Sequence, residues 1–92
     1  MIRMYVRHTV SDFDAWKQGY DGFEAQRREM GVRADAIFCG AESASDVTVW
    51  HDFDDLVAAQ AFLDSVELRG AMEAAGVVGE PHIWFVHRDL PA

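Results

Sequence analysis

The chain has 92 residues, half of them hydrophobic, and 16 acidic side chains against 8 basic ones give a formal charge of −8. That length suits one domain, 1–92, and the charge argues against polyanionic partners, so neither nucleic acid nor an anionic membrane is expected. No apolar run approaches the roughly 20 residues of a membrane span, and Cys39, the single cysteine, leaves no disulfide and no thiolate pair for zinc.

Ile2 to Thr9 alternates, with Ile2, Met4, Val6 and His8 on one face and Arg3, Tyr5, Arg7 and Thr9 on the other, which predicts a first strand. Met1 to Val10 holds no uninterrupted apolar stretch of the signal-peptide kind, so a cytoplasmic protein is expected. Ser11 with Asp14 three residues on reads as a helix start. Phe13, Trp16, Tyr20, Phe23, Arg27 and Met30 then fall on one helical stripe, which Gly31 closes. Gly19 and Gly22 weaken that helix by about 1 kcal/mol each relative to Ala and permit close approach of a neighbour.

Arg33 to Cys39 reads as a second strand, Gly40 to Asp46 as a polar loop, and Val47 to Phe53 as a third strand rich in β-formers. Cys39 is expected to be buried and structural. Asp54 or Asp55 caps a second helix, whose stripe is Leu56, Ala59, Leu63 and Val66 with Phe62 beside it. Ser65 looks like a second start, so a bend or break is expected there. Leu68, Ala71, Met72 and Ala75 continue to Gly76, and Gly79-Glu80-Pro81 is a turn before a last strand, His82 to His87.

The order βαββαβ predicts an α+β ferredoxin-like fold, a four-stranded antiparallel sheet with both helices on one face. Tyr5, Trp50 and part of the last strand make the other face apolar. A homodimer packed sheet to sheet is therefore expected, with Arg7 and Asp52 paired across strands at the interface.

Val6-Arg7-His8, Asp12-Phe13-Asp14-Ala15-Trp16, Phe53-Asp54-Asp55, Ala61-Phe62-Leu63, Ser65 and Leu68-Arg69-Gly70-Ala71-Met72 together resemble the dimeric α/β-barrel superfamily. The nearest branch is the antibiotic-biosynthesis-monooxygenase family, and within it the small actinobacterial proteins labelled cyclases. The resemblance covers nearly the whole chain and implies a pocket between sheet and helices. Its members include cofactor-independent oxygenases of polyketide phenols, haem-degrading enzymes and cyclases. The oxygenase and haem-degrading branches carry a tryptophan that matches Phe53 here. The haem-degrading branch has a histidine ligand that matches Met72. Both differences point away from haem.

Within that frame His8 and His51 are the candidate general bases, since both sit on the strand face turned to the helices and imidazole works near neutral pH. Trp16, Tyr20, Phe23, Phe53, Met72, His82 and Trp84 are the candidate walls of a slot for a flat aromatic or apolar ligand. His8, His51, His82 and His87 show no spacing that makes a metal site, so neither metal nor cofactor is expected. Phosphate loop, nucleophile elbow and dinucleotide fingerprint are all missing. The expected activity is a cofactor-independent monooxygenase or cyclase acting on an aromatic or polyketide-like molecule. The alternative is a non-catalytic dimeric module that binds a small apolar ligand or serves a structural role.

Overall fold

A computed structural model describes residues 1–87. The elements run β1 (Ile2–Val10), α1 (Phe13–Gly22), α2 (Glu24–Glu29), β2 (Ala34–Gly40), β3 (Ser43–Phe53), α3 (Leu56–Leu63), α4 (Val66–Ala74) and β4 (Val77–His87). The strands form one antiparallel four-stranded sheet in the order β2-β3-β1-β4. This is the ferredoxin-like arrangement that the element order predicts.

The register sorts the side chains onto two faces. Met4 lies opposite His51 on β3 and Phe85 on β4, and Val6 lies opposite Val49 and Ile83. Because side chains alternate, these residues share one face, with Ile2, His8, Val10, Val47 and Phe53. The helices cover it. Phe62 and Ala59 pack there with Ile2, Met4, Val6, Val32 and Phe53, while Trp16 packs with Val10, Val47 and Val49.

The opposite face carries Tyr5 stacked on Trp84, with ring centroids 5.2 Å apart, and the Arg3 guanidinium 3.7 Å from the Trp50 ring centroid. Two bidentate pairs brace it. Arg3 donates to Asp52 at 2.8 and 3.1 Å, and Arg7 donates to Asp46 at 3.0 and 2.8 Å. The expected partnership of Arg7 with Asp52 is therefore wrong: Asp52 belongs to Arg3, and Arg7 takes Asp46, six residues earlier on β3. In the β1–β3 register Asp52 stands opposite Arg3 and Thr48 stands opposite Arg7.

The first helix is not continuous. It breaks at Phe23, whose backbone lies at φ −95°, ψ 6°, and resumes at Glu24. Gly22 supplies the weak point, because glycine has the largest backbone entropy to lose in a helix. The cap is Asp12 rather than Ser11: its carboxylate accepts from the backbone N–H groups of Asp14 at 3.0 Å and Ala15 at 3.3 Å. Gly19 does serve a close approach, to Ala75 at the end of α4; a Cβ on Gly19 would lie 3.2 Å from the Ala75 Cβ.

The second helix breaks at Ser65, whose hydroxyl accepts from the Leu68 N–H at 3.0 Å. The break resets the helical phase. Ala59 and Phe62 are buried, whereas Leu56 and Val66, expected in the inward stripe, are 43% and 71% exposed. β3 starts at Ser43, so most of the expected polar loop 40–46 belongs to the hairpin, where pairing overrides weak strand propensity. β4 starts at Val77 and runs through the expected turn. Gly79, at φ +73°, sits beside the register shift that follows Arg7 on β1. Cys39 is exposed rather than buried.

Candidate active site

α1 and α2 aim one row of side chains at the sheet. Trp16 and Tyr20 are four residues apart, so they stack along one helix face, with ring centroids 5.0 Å apart. Past the break, Arg27 folds back over Tyr20. Its guanidinium carbon lies 3.6 Å from the ring centroid, and its Nη1 donates to the Tyr20 carbonyl oxygen. That oxygen sits where the helix is interrupted and also accepts from the Phe23 N–H at 3.1 Å. Arg27 thus fills a need created by the break, and it is 5% exposed.

The sheet contributes a cross-strand pair. Asp35 on β2 stands directly opposite His51 on β3, both on the helix side. The Tyr20 hydroxyl joins them, 2.5 Å from Asp35 Oδ2 and 3.0 Å from His51 Nε2. Arg27 Nη2 lies 3.6 Å from the same Asp35 oxygen.

Hydrogen counting assigns the tautomer. A carboxylate only accepts, so Tyr20 donates its one proton to Asp35 and must accept from His51. His51 therefore carries its proton on Nε2, and Nδ1 keeps a lone pair. Nδ1 is buried and has no hydrogen-bond partner. Burial is the main cause that holds the His51 pKa down at about 4, with the nearby Arg27 charge acting in the same direction. Burial also raises the Tyr20 pKa, and its bond to Asp35 reinforces the shift. At neutral pH the site is an uncharged imidazole on an uncharged phenol, backed by an ion pair.

His51 and Tyr20 form one wall of a cavity of about 60 Å³ between sheet and helices. Met4, Val6 and Ile83 form its floor, Trp16 and Phe23 come from the first helical segment, and Phe62, Leu68 and Met72 close it from the second. Leu63, Leu68, Met72 and Ile83 also line a wider groove of about 280 Å³ between α4 and β4, where Arg69 and Glu73 stand at the rim. The narrow cavity and this groove thus share a wall.

The structure brings His51, Trp16, Tyr20, Phe23 and Met72 together around that cavity. His8 faces the helices but sits further along β1, with its ring 5.5 Å from Trp16, outside the cavity lining. Both its ring nitrogens are buried without partners, and burial lowers its pKa. Phe53 lies beneath the site in the core, its ring 5.4 Å from Phe62. His82 and Trp84 do not line the slot. Arg7 pairs with His82 and Tyr5 with Trp84, which puts both residues on the opposite sheet face.

Arg27 and Asp35 were not among the expected site residues. The signal for Asp35 lay in the hairpin: closing the strands with Cys39 opposite Val47 brings Asp35 opposite His51. Among the described residues, no three His, Cys, Asp or Glu side chains are grouped as a metal site would need, and no helix is long and apolar enough to cross a membrane.

Fold and site together define a ferredoxin-like α+β protein with an apolar pocket between sheet and helices and a neutral histidine–tyrosine pair at its end. Solved structures with the same fold include a candidate antibiotic biosynthesis monooxygenase from Bordetella bronchiseptica, at TM-score 0.83 and 13% identity, covering 97% of each chain. They also include SnoaB, a cofactor-independent oxygenase from Streptomyces nogalater, at TM-score 0.75 and 14% identity, covering 99% of this chain and 97% of that one. A third, from Nitrosomonas europaea and again a candidate antibiotic biosynthesis monooxygenase, has TM-score 0.75 and 14% identity over 96% of this chain and 98% of its own. At such identities the likeness is one of fold, the fold that the sequence resemblance implied. No family model matches the chain, and no curated protein matches it.

Proposed function

We propose that the chain is a small, single-domain, cofactor-independent monooxygenase whose substrate is a flat phenol or enol and whose base is His51. The observation that carries this reading is the unpartnered Nδ1 lone pair of a neutral histidine that lines an apolar cavity. Removal of a phenolic or enolic proton makes the ring electron-rich enough to pass an electron to dioxygen. The overall conversion is CH2 plus O2 to C=O plus H2O: the O–O bond breaks, one oxygen stays on carbon, and the other leaves as water with the two hydrogens. Trp16, Tyr20, Phe23 and Met72 hold the ligand, and apolar walls keep water from the anion. A cyclase would use the same proton removal, its enolate attacking a carbonyl held in the slot.

The working unit in this reading is a homodimer through the open sheet face. Phe38, Trp84 and Val86 are exposed there beside Tyr5 and Trp50, an apolar surface of the kind partners cover.

Oxygen uptake with 1,8-dihydroxy-9-anthrone as probe tests the activity. Turnover is expected, with a loss on the order of 100-fold in His51→Ala. An equal rate in that variant overturns the role of His51. One observation favours the non-catalytic module instead: the inner cavity has room for only a few waters until the groove side opens. Saturable binding of the probe without any oxygen uptake would establish that second reading.

A further inference from the structure

The hydrogen-bonded chain at the end of the cavity does not stop inside the protein. Behind it lies a surface concavity of about 10 Å³ lined by Arg27 and Asp35, together with Glu24, Arg28, Val32 and Ala34. Arg27 borders both spaces. From one to the other the contacts are continuous: His51 Nε2 to Tyr20 Oη at 3.0 Å, Tyr20 Oη to Asp35 Oδ2 at 2.5 Å. The Asp35 side chain is 29% exposed, while that of Arg27 beside it is 6% exposed.

We propose that His51, Tyr20 and Asp35 form a proton relay that carries a proton from the ligand cavity to the surface on the far side of Tyr20. The inference rests on His51 being the base of the proposed reaction. The steps balance without any further reactant. The ligand O–H bond breaks and its proton joins His51 Nδ1. The Nε2–H bond breaks and that proton joins Tyr20 Oη. The Tyr20 O–H bond breaks and its proton joins Asp35 Oδ2. The ligand is left as an anion, His51 and Tyr20 are neutral as before, and Asp35 holds one proton that it passes to water. Run in reverse, the same chain returns a proton to the cavity.

Two features fit a relay better than a histidine acting alone. Burial opposes a lasting imidazolium at His51 and equally a tyrosinate at Tyr20, and a concerted transfer needs neither. The groups around His51 divide: Arg27 from α2 and His8 from β1 disfavour a positive charge on it, while Asp35 on β2 and Asp52 on β3 favour one. Finally, Arg27 lies over the Tyr20 ring and beside Asp35, so it fixes both receivers in place. Asp35 touches no ligand in this scheme and acts through Tyr20 as the relay's last proton acceptor; Arg27 moves no proton and is a positioning residue.

The test uses the full chain without ligand, labelled with 15N in histidine. Long-range proton–nitrogen correlation reads the tautomer of His51 in the wild type, Asp35→Asn, Tyr20→Phe and the double variant. The wild type is expected to hold its proton on Nε2. In Asp35→Asn the new amide donates to Tyr20, Tyr20 turns to donate to His51, and His51 gains the Nδ1–H form. With Tyr20→Phe already present, Asp35→Asn is expected to have no effect on His51.

Three results overturn the relay: a wild-type His51 with its proton on Nδ1, no response to Asp35→Asn, or a response of the same size in the Phe background, which would mean through-space coupling. Tyr20→Phe keeps the ring, and the wild-type tautomer decides against the relay on its own should a variant not fold. Failure of the parent reading looks different: the tautomers are coupled as expected, yet His51→Ala oxidises 1,8-dihydroxy-9-anthrone at the wild-type rate.

Discussion

Acidification offers the sharpest check on the buried imidazoles. His51 titrates near 6.5 when unfolded and is held at about 4 in the fold. The unfolded chain therefore binds the proton more readily, and lowering the pH favours unfolding. The contribution is complete above the unfolded value and is lost as the pH falls from about 6.5 towards 4. Across pH 7.5 to 4.5 the linkage relation gives a loss of about 2.5 kcal/mol for His51 alone. His8, also lowered by burial, adds in the same direction. Asp46 and Asp54, held low by Arg7 and Arg33, lose their contribution only further into the acid range. Urea unfolding followed by tryptophan fluorescence at fixed protein concentration, at half-unit pH steps, reads the effect. The wild type should lose stability steeply below pH 6.5, and His51→Leu should show a slope shallower by about one proton, roughly 1.4 kcal/mol per pH unit. Equal slopes in the two proteins would refute the buried, neutral assignment.

Three further predictions concern the scaffold. Gly76→Ala should destabilise by more than about 1 kcal/mol: the residue sits at φ +81° and a Cβ would meet the Ser11 hydroxyl at 2.7 Å, so an unchanged urea midpoint would count against this geometry. Phe62→Ala removes a side chain 1% exposed and in contact with the rings of His51 and Phe53; it should cost about 3 to 5 kcal/mol, and a loss under 1 kcal/mol would show that the site collapses around the gap. Trp84→Asp puts a charge on the open sheet face and should turn a dimer into a monomer by light scattering; a dimer that survives it assembles elsewhere.

The alternation of Ile2, Met4, Val6 and His8 was enough to place the inner face of β1, because one polar and one apolar side per strand fixes the pleat. The same reasoning could not choose a face for β4. Ile83 and Phe85 on one side and Trp84 and Val86 on the other are all apolar, so only pairing with β1 decides, and it sends His82 and Trp84 outward. Trp16, Tyr20 and Phe23 were legible through helical spacing. Arg27 was legible as part of the stripe but not as a neighbour of Asp35, since that contact follows from the break at Phe23. Ser65 announced its break with a capping hydroxyl; Phe23 has no side-chain cap and announced nothing.

α4 contains no fully buried residue, yet it forms one bank of the groove that adjoins the cavity. α1 and α3, by contrast, each bury at least one side chain. Entry would then be governed by the free energy of loosening one nine-residue helix, a local opening far smaller than global unfolding. Ligand size is in that case limited by the elasticity of this bank and not by the volume at rest. Amide hydrogens of α4 should exchange ahead of those in β1 and β3, and a ligand that seats fully should slow them most.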